Sequence, residues 1–182
     1  MLISLETQMT EPFFMPWVGK SYAPGNGLLL LGEAHYGPPD LGPDSTIAFT
    51  QAFVGGENGK FWTNIMQVVE GRPYDAIDRA RFWGNVAFYN FVQRSVGETP
   101  GIPPTADMLA EASAPFFAVV ERLQPRSILV LSSRMWQALP NGAGRAGPMI
   151  GEGQTIRETW LYPHPSGDAL AMSIPHPSLY FS

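Results

Sequence analysis

The sequence predicts one α/β domain, built as a three-layer sandwich with a central, mainly parallel four-stranded sheet and helices on both faces. Short apolar runs that suit strands buried on both faces alternate with segments whose apolar residues recur at helical spacing. The 19 glycines and 18 prolines indicate extensive loops and argue against a helical bundle. The single domain is expected to span residues 1–182, with an irregular arm at 1–26.

The elements of the N-terminal half begin with a strand at residues 27–32, where four leucines stand between two glycines. Residues 33–44 carry three prolines and are predicted to be a loop. A serine and a threonine suited to N-capping open a helix over 45–53, which a pair of glycines ends. Apolar residues at helical spacing indicate a second helix at 61–69, and the apolar stretch 85–89 is the second strand.

The C-terminal half opens with a long amphipathic helix at 105–123, which begins at a capping threonine and ends before a proline. The apolar run 127–132 is the third strand, and a short helix is predicted at 134–139. Residues 159–162 and 169–174 are strand candidates joined by a turn.

Composition excludes several classes of protein. Hydrophobic residues make up 45% and charged residues 15%, which excludes a disordered chain. The sequence has no cysteine, which excludes disulfides and thiolate-bound metals and favours the reducing cytoplasm. No membrane span and no secretory leader are predicted. The net charge of -5 argues against broad attraction to nucleic acid, so DNA binding would need a local basic patch.

Polar side chains follow four of the predicted strands, at the sheet edge where ligands bind in parallel α/β proteins. Taken singly, Glu33 could be a solvated loop acid, His35 could satisfy loop carbonyls and Asn90 could cap the next segment. Their expected convergence on one edge predicts a site. The side chains delivered to that edge are Glu33, His35, Tyr36, Asn90, Gln93, Ser132, Ser133, Arg134, His176 and Ser178.

The sequence Pro-His-Pro-Ser occurs twice, and the two copies are not equivalent. Antiparallel strands between them would place the copies at opposite edges of the sheet. His176 is expected beside Glu33, and His164 is expected in a turn at the other edge.

Weaker motifs have structural explanations. Residues 55–60 superficially resemble a phosphate loop, but Phe61 replaces the required Ser or Thr, which argues against that function. The three histidines lack metal-binding spacing, so neither a metal nor another cofactor is expected. Arg145 lies in a glycine-rich loop at 141–153, which suits either plain flexibility or a contact to a nucleic-acid strand. The tryptophans Trp62, Trp83 and Trp136 are predicted to be core residues.

Four segments together resemble the uracil-DNA glycosylase superfamily, in a branch without cysteine. They are LLLLGEAHYG at 28–37, FYN at 88–90, the strand at 128–131 with its following helix, and IPHPS at 174–178. The resemblance implies a four-stranded parallel sheet and hydrolysis of the bond between a damaged base and its deoxyribose, without a metal.

The resemblance also implies roles for individual residues. Glu33 would hold or activate the attacking water, and His176 would hydrogen-bond the carbonyl of the departing base. Tyr36, Asn90 and Phe49, together with His35, would contact the base. The residues expected to contact DNA are Ser178, Leu179 or Tyr180 as a wedge, and the basic Arg134 and Arg145.

Two functions therefore remain open. The first is a DNA glycosylase acting as a cytoplasmic monomer on uracil or a related damaged base. The second is a noncatalytic domain that binds a nucleobase, a nucleotide or single-stranded nucleic acid, because Ala34 stands where the best-known form of the motif has an aspartate. Arginines 94, 134 and 145 flanking the Glu33–His176 edge would favour DNA, whereas an acidic rim or scattered arginines would favour a small ligand.

Overall fold

The structure of the chain is a computed structural model, which describes residues 10–99 and 101–180. Seven strands in this part of the chain form one sheet. They are β1 (Trp17–Val18), β2 (Leu28–Gly32), β3 (Val86–Asn90), β4 (Ser127–Val130), β5 (Arg145–Ala146), β6 (Trp160–His164) and β7 (Gly167–Ser173).

The spatial order of the strands is β1-β3-β2-β4-β7-β6-β5. The pairings β3 with β2, β2 with β4, and β4 with β7 are parallel, and the other three are antiparallel. The predicted α/β class is confirmed, but the predicted four-stranded, mainly parallel sheet is wrong. Two of the additional strands are only two residues long, too short to show any periodicity in sequence.

Helices cover both faces of the sheet. Leu29 and Leu31 of β2 pack into one core cluster with the side chains of Phe116 and Val119, whereas Leu30 packs into the other with Phe53. This alternation follows from the two-residue period of a strand. The helices are α1 (Ser45–Val54), α2 (Lys60–Glu70), α3 (Arg79–Asn85), α4 (Ala106–Glu111), α5 (Ser113–Leu123), α6 (Ser133–Ala138) and α7 (Pro177–Tyr180), with short 3₁₀ turns at Tyr74–Ala76 and Gly153–Thr155.

The predicted helix over 105–123 is two helices, α4 and α5, which meet at Ala112. Thr105 caps α4 by accepting a hydrogen bond from the backbone N–H of Met108, as its sequence position predicts. Pro115 explains the break, because proline has no N–H to donate and fits only the first turn of a helix. No helix among the described residues is long and apolar enough to cross a membrane.

Candidate functional site

The carboxyl ends of the four parallel strands open onto a cavity of about 970 Å³. Glu33 follows β2, and Asn90 ends β3. Arg134 lies in the first turn of α6, the helix that follows β4, and His176 follows β7. All four side chains line this cavity, which we call the strand-end cavity. The parallel strands thus bring together residues from the first strand-end motif and from the last, as the sequence predicts.

Glu33 is held by Arg134 in a two-pronged ion pair. The Nε–H of Arg134 donates to Glu33 Oε1 over 2.9 Å, and the Nη2–H donates to Oε2. The carboxylate side chain is 9% exposed and the arginine side chain 54%. Ser132 starts the helix that presents Arg134, since its hydroxyl accepts from the backbone N–H of Met135. The candidate acid therefore faces the cavity with its charge neutralised.

His176 is held in one orientation and one neutral tautomer. Its ring stacks on Phe61 with 5.4 Å between ring centroids, and its Nδ1 accepts from the backbone N–H of Ser178 over 3.2 Å. Because Nδ1 accepts, Nε2 carries the proton. Burial lowers the pKa of His176, the charge of Glu33 raises it, and the charge of Arg134 lowers it. The imidazole is therefore neutral at pH 7, with one N–H available to donate.

His35 is the centre of a buried hydrogen-bond network beneath the cavity. Its Nε2 lies 2.8 Å from Thr46 Oγ1 and 3.1 Å from Asn90 Nδ2. The side chain is 6% exposed, and burial lowers its pKa to about 4. Asn90 is 5% exposed, and its Oδ1 packs so closely on Gly32 that any Cβ there would collide with it. Both residues line the cavity, and His35 Nε2 and Asn90 Nδ2 are bonded to each other inside the protein.

Aromatic side chains form one wall of the strand-end cavity. Phe49 of α1 is 42% exposed and contacts the His35 ring, with 5.5 Å between ring centroids. A planar ring can stack on such a surface, and a partly exposed phenylalanine gains free energy when a ligand covers it. The aromatic lining residues are Tyr36, Phe49, Phe53, Phe61, Trp62 and Phe88.

Sequence reasoning misses several lining residues. Trp62 packs against one of the core clusters, as predicted, but it is only partly buried and also lines the cavity. Glu57 and Asn58 line the cavity from the loop between α1 and α2, in the segment that superficially resembles a phosphate loop. The pattern of Phe53 before the loop and Phe61 after it is a usable signal, because both aromatics point from neighbouring helices to the same space.

Other predicted residues lie elsewhere. Arg145 is at the wrong end of the sheet: it pairs with Asp168 at the start of β7, whereas His176 follows the end of β7. Its strand β5 runs antiparallel to β6, a pairing that the loop sequence does not indicate. His164 pairs with Gly167 at that same far edge, as predicted.

Ser178 is exposed and lines the cavity, and the side chains of Leu179 and Tyr180 lie outside the described residues.

The charges around the cavity do not form a basic patch. Glu33 and Glu57 line it, and Arg134 is the one lining cation among the described residues. Arg94, which would favour DNA if it flanked the cavity, is not among the described lining residues and pairs with Glu111. Within the described ranges, 10–99 and 101–180, no cluster of three or more metal-ligating side chains occurs.

We expect opposite pKa shifts of His176 when the two halves of the ion pair are removed. Arg134→Gln should raise the pKa, because a positive charge that opposes protonation is lost and Glu33 is left uncompensated. Glu33→Gln should lower it. An NMR titration of the His176 ring measures both shifts, with Arg94→Gln as the matched control. Shifts of the same sign in the two variants would show that the pair does not control this ring.

In comparison with known proteins, no protein-family model matches the chain and no curated protein matches it. The function has to follow from the strand-end cavity itself.

Proposed function

We propose that this protein hydrolyses the N-glycosidic bond of uracil or a related damaged base in DNA, as a member of the uracil-DNA glycosylase superfamily. One observation carries the proposal: the carboxylate of Glu33 and the neutral imidazole of His176 line the same aromatic-walled cavity. Its volume of about 970 Å³ lies at the upper end of the range for small-molecule sites, so a flipped-out base fits with its sugar.

The chemistry requires a carboxylate on the sugar side of the bond and a hydrogen-bond donor on the base side. As the bond between C1′ and the base nitrogen breaks, the electron pair leaves with the base, and positive charge develops on the sugar. His176 Nε2–H donates to the carbonyl of the departing base. Glu33 orients a water molecule and accepts a proton from it as the water oxygen bonds to C1′. The released base takes up a proton from solvent.

The base itself would be held by the aromatic wall. Phe49 and Tyr36 offer ring surfaces on which a flipped base stacks. Asn90 and His35 contribute through their mutual hydrogen bond, which fixes the cavity floor. We propose that the protein acts as a monomer in the cytoplasm, since a chain without cysteine forms no disulfides and does not depend on an oxidising compartment.

A second candidate is binding of a nucleobase or nucleotide without cleavage. Two observations favour it: both oxygens of Glu33 are engaged by Arg134, and acids outnumber cations in the described cavity lining. A neutralised carboxylate stabilises a cationic sugar less well than a free one.

A base-release assay tests the proposal. The protein is incubated with single- and double-stranded oligonucleotides that carry one deoxyuridine or one of a panel of damaged bases, and free base is measured by mass spectrometry. We expect release by the wild-type protein and none by the double variant E33Q/H176A purified in the same way, which controls for a contaminating host enzyme. Binding of free bases without release from any substrate would overturn hydrolysis in favour of the second candidate.

A further inference from the structure

Arg134 occupies a place in the cavity from which it can control the candidate acid. It engages both oxygens of Glu33, and its charge also acts on His176. Tyr36, like Glu33, acts on the guanidinium and raises the pKa of Arg134. A single arginine side chain therefore connects three of the residues on which the proposed hydrolysis depends.

The two halves of the ion pair differ in their contact with solvent. The carboxylate side is 9% exposed, whereas the arginine side is 54% exposed. Ion pairs with such a solvated member contribute little to stability, because water competes for the charge and the long side chain is ordered at an entropic cost. The guanidinium can therefore exchange partners without disturbing the fold.

The backbone that presents Arg134 is fixed, so that exchange needs only the side chain to move. The first turn of α6 is tied to the end of β4 by the Ser132 cap, and Met135 beside it is fully buried. Phosphate competes well for a guanidinium, since it carries more negative charge than a carboxylate and accepts the same two parallel hydrogen bonds.

We propose that Arg134 is a phosphate-responsive latch on Glu33: a phosphate group of the substrate draws the guanidinium away and leaves the carboxylate free to hold water. This inference rests on the proposed hydrolysis and deepens it, because it makes the site selective for phosphorylated substrates. The phosphate can belong to a mononucleotide or to a nucleic-acid strand, since both present the same group to Arg134.

The latch reconciles two features that otherwise conflict. Glu33 lines the cavity, where the proposed hydrolysis needs its negative charge, but its pairing with Arg134 makes it a weak partner for a developing positive charge. The guanidinium is solvated, so it can leave the carboxylate when another anion binds it. Once the arginine has moved, Glu33 remains in a largely enclosed position where its charge acts on the sugar with little screening. Without phosphate the site stays neutralised, which protects free nucleosides from hydrolysis.

The first test uses inorganic phosphate and needs no catalysis. NMR signals of the Arg134 Nε–H and of the Glu33 carboxyl carbon are followed while phosphate is added at constant ionic strength. We expect both signals to move in the wild-type protein and in the control variant Arg94→Gln. Arg94 pairs with Glu111 outside the cavity. In Arg134→Gln the Glu33 signal should not respond. A Glu33 response that persists in Arg134→Gln, or is absent in the wild type, overturns the latch.

The second test compares deoxyuridine, deoxyuridine 5′-monophosphate and a single-stranded oligonucleotide with one deoxyuridine. The wild type should cleave the phosphorylated substrates with higher kcat/KM than the nucleoside, and the mononucleotide and oligonucleotide arms show which phosphate acts. Arg134→Gln should lose this preference while cleaving the nucleoside severalfold faster than the wild type. An arginine that merely binds phosphate would leave the nucleoside rate unchanged, and that result would also overturn the latch.

The two tests separate failure of the latch from failure of the proposed function. If no substrate releases base, hydrolysis is wrong, and the phosphate titration still decides whether Arg134 changes partner. If base is released but neither the Glu33 signal nor the nucleoside rate depends on Arg134, the latch alone is wrong.

Discussion

Replacing Glu33 with glutamine is expected to reduce base release by about 100- to 1,000-fold, the usual effect of removing a group that positions water or stabilises transition-state charge. The glutamine keeps the size of the side chain and one oxygen that can accept from Arg134. It lacks the negative charge that faces the developing positive charge on the sugar. Single-turnover kinetics on the preferred oligonucleotide measures this effect directly.

The matched control is Glu111→Gln, which removes a carboxylate from another arginine ion pair, outside the cavity. We expect this variant to keep the wild-type rate. Both variants should unfold within about 1 kcal/mol of the wild type, because each substitution leaves behind an arginine that is solvated and ion pairs with such a member contribute little to stability. A Glu33→Gln variant that keeps more than half of the wild-type rate would show that the carboxylate takes no part in the chemistry.

The positions of Glu33 and His176 can be predicted because both depend on simple periodicity and connectivity. The leucine run of β2 marks a strand buried on both faces, and parallel pairing places the residues after such strands at one edge. His176 is distinguished from His164 on the same ground, since the hairpin of β6 and β7 puts the two histidines at opposite ends. These inferences need only strand direction.

Features that depend on contacts between distant segments could not be predicted. Arg134 and Glu33 are 101 positions apart, and nothing in either local pattern indicates that one neutralises the other. The position of Arg145 is missed because the two-residue strand β5 has no sequence period from which its pairing could be inferred. The place of Trp62 in the cavity lining is missed because one aromatic side chain on a helix can pack against the core and line a cavity at the same time.

The buried network around His35 predicts that stability depends on pH. The pKa of this histidine is about 4 in the folded protein, against 6.5 for an unperturbed histidine side chain. A lowered pKa means that the unfolded chain binds the proton more readily, so the stabilising effect is complete above pH 6.5 and is lost as the pH falls towards 4. The difference corresponds to about 3 kcal/mol in the free energy of unfolding.

Comparison with His35→Gln isolates this contribution, because glutamine keeps an amide that can bond Thr46 or Asn90 but does not titrate. Carboxylates and His176 titrate in both proteins, so their effects cancel in the difference between the two unfolding free energies. Urea denaturation should show the wild type losing about 3 kcal/mol more than the variant between pH 7 and pH 4. If the unfolding free energies of the two proteins changed with pH in parallel, protonation of the His35 ring would not destabilise the folded protein. The floor of the strand-end cavity would then be open to water rather than held closed by Thr46 and Asn90.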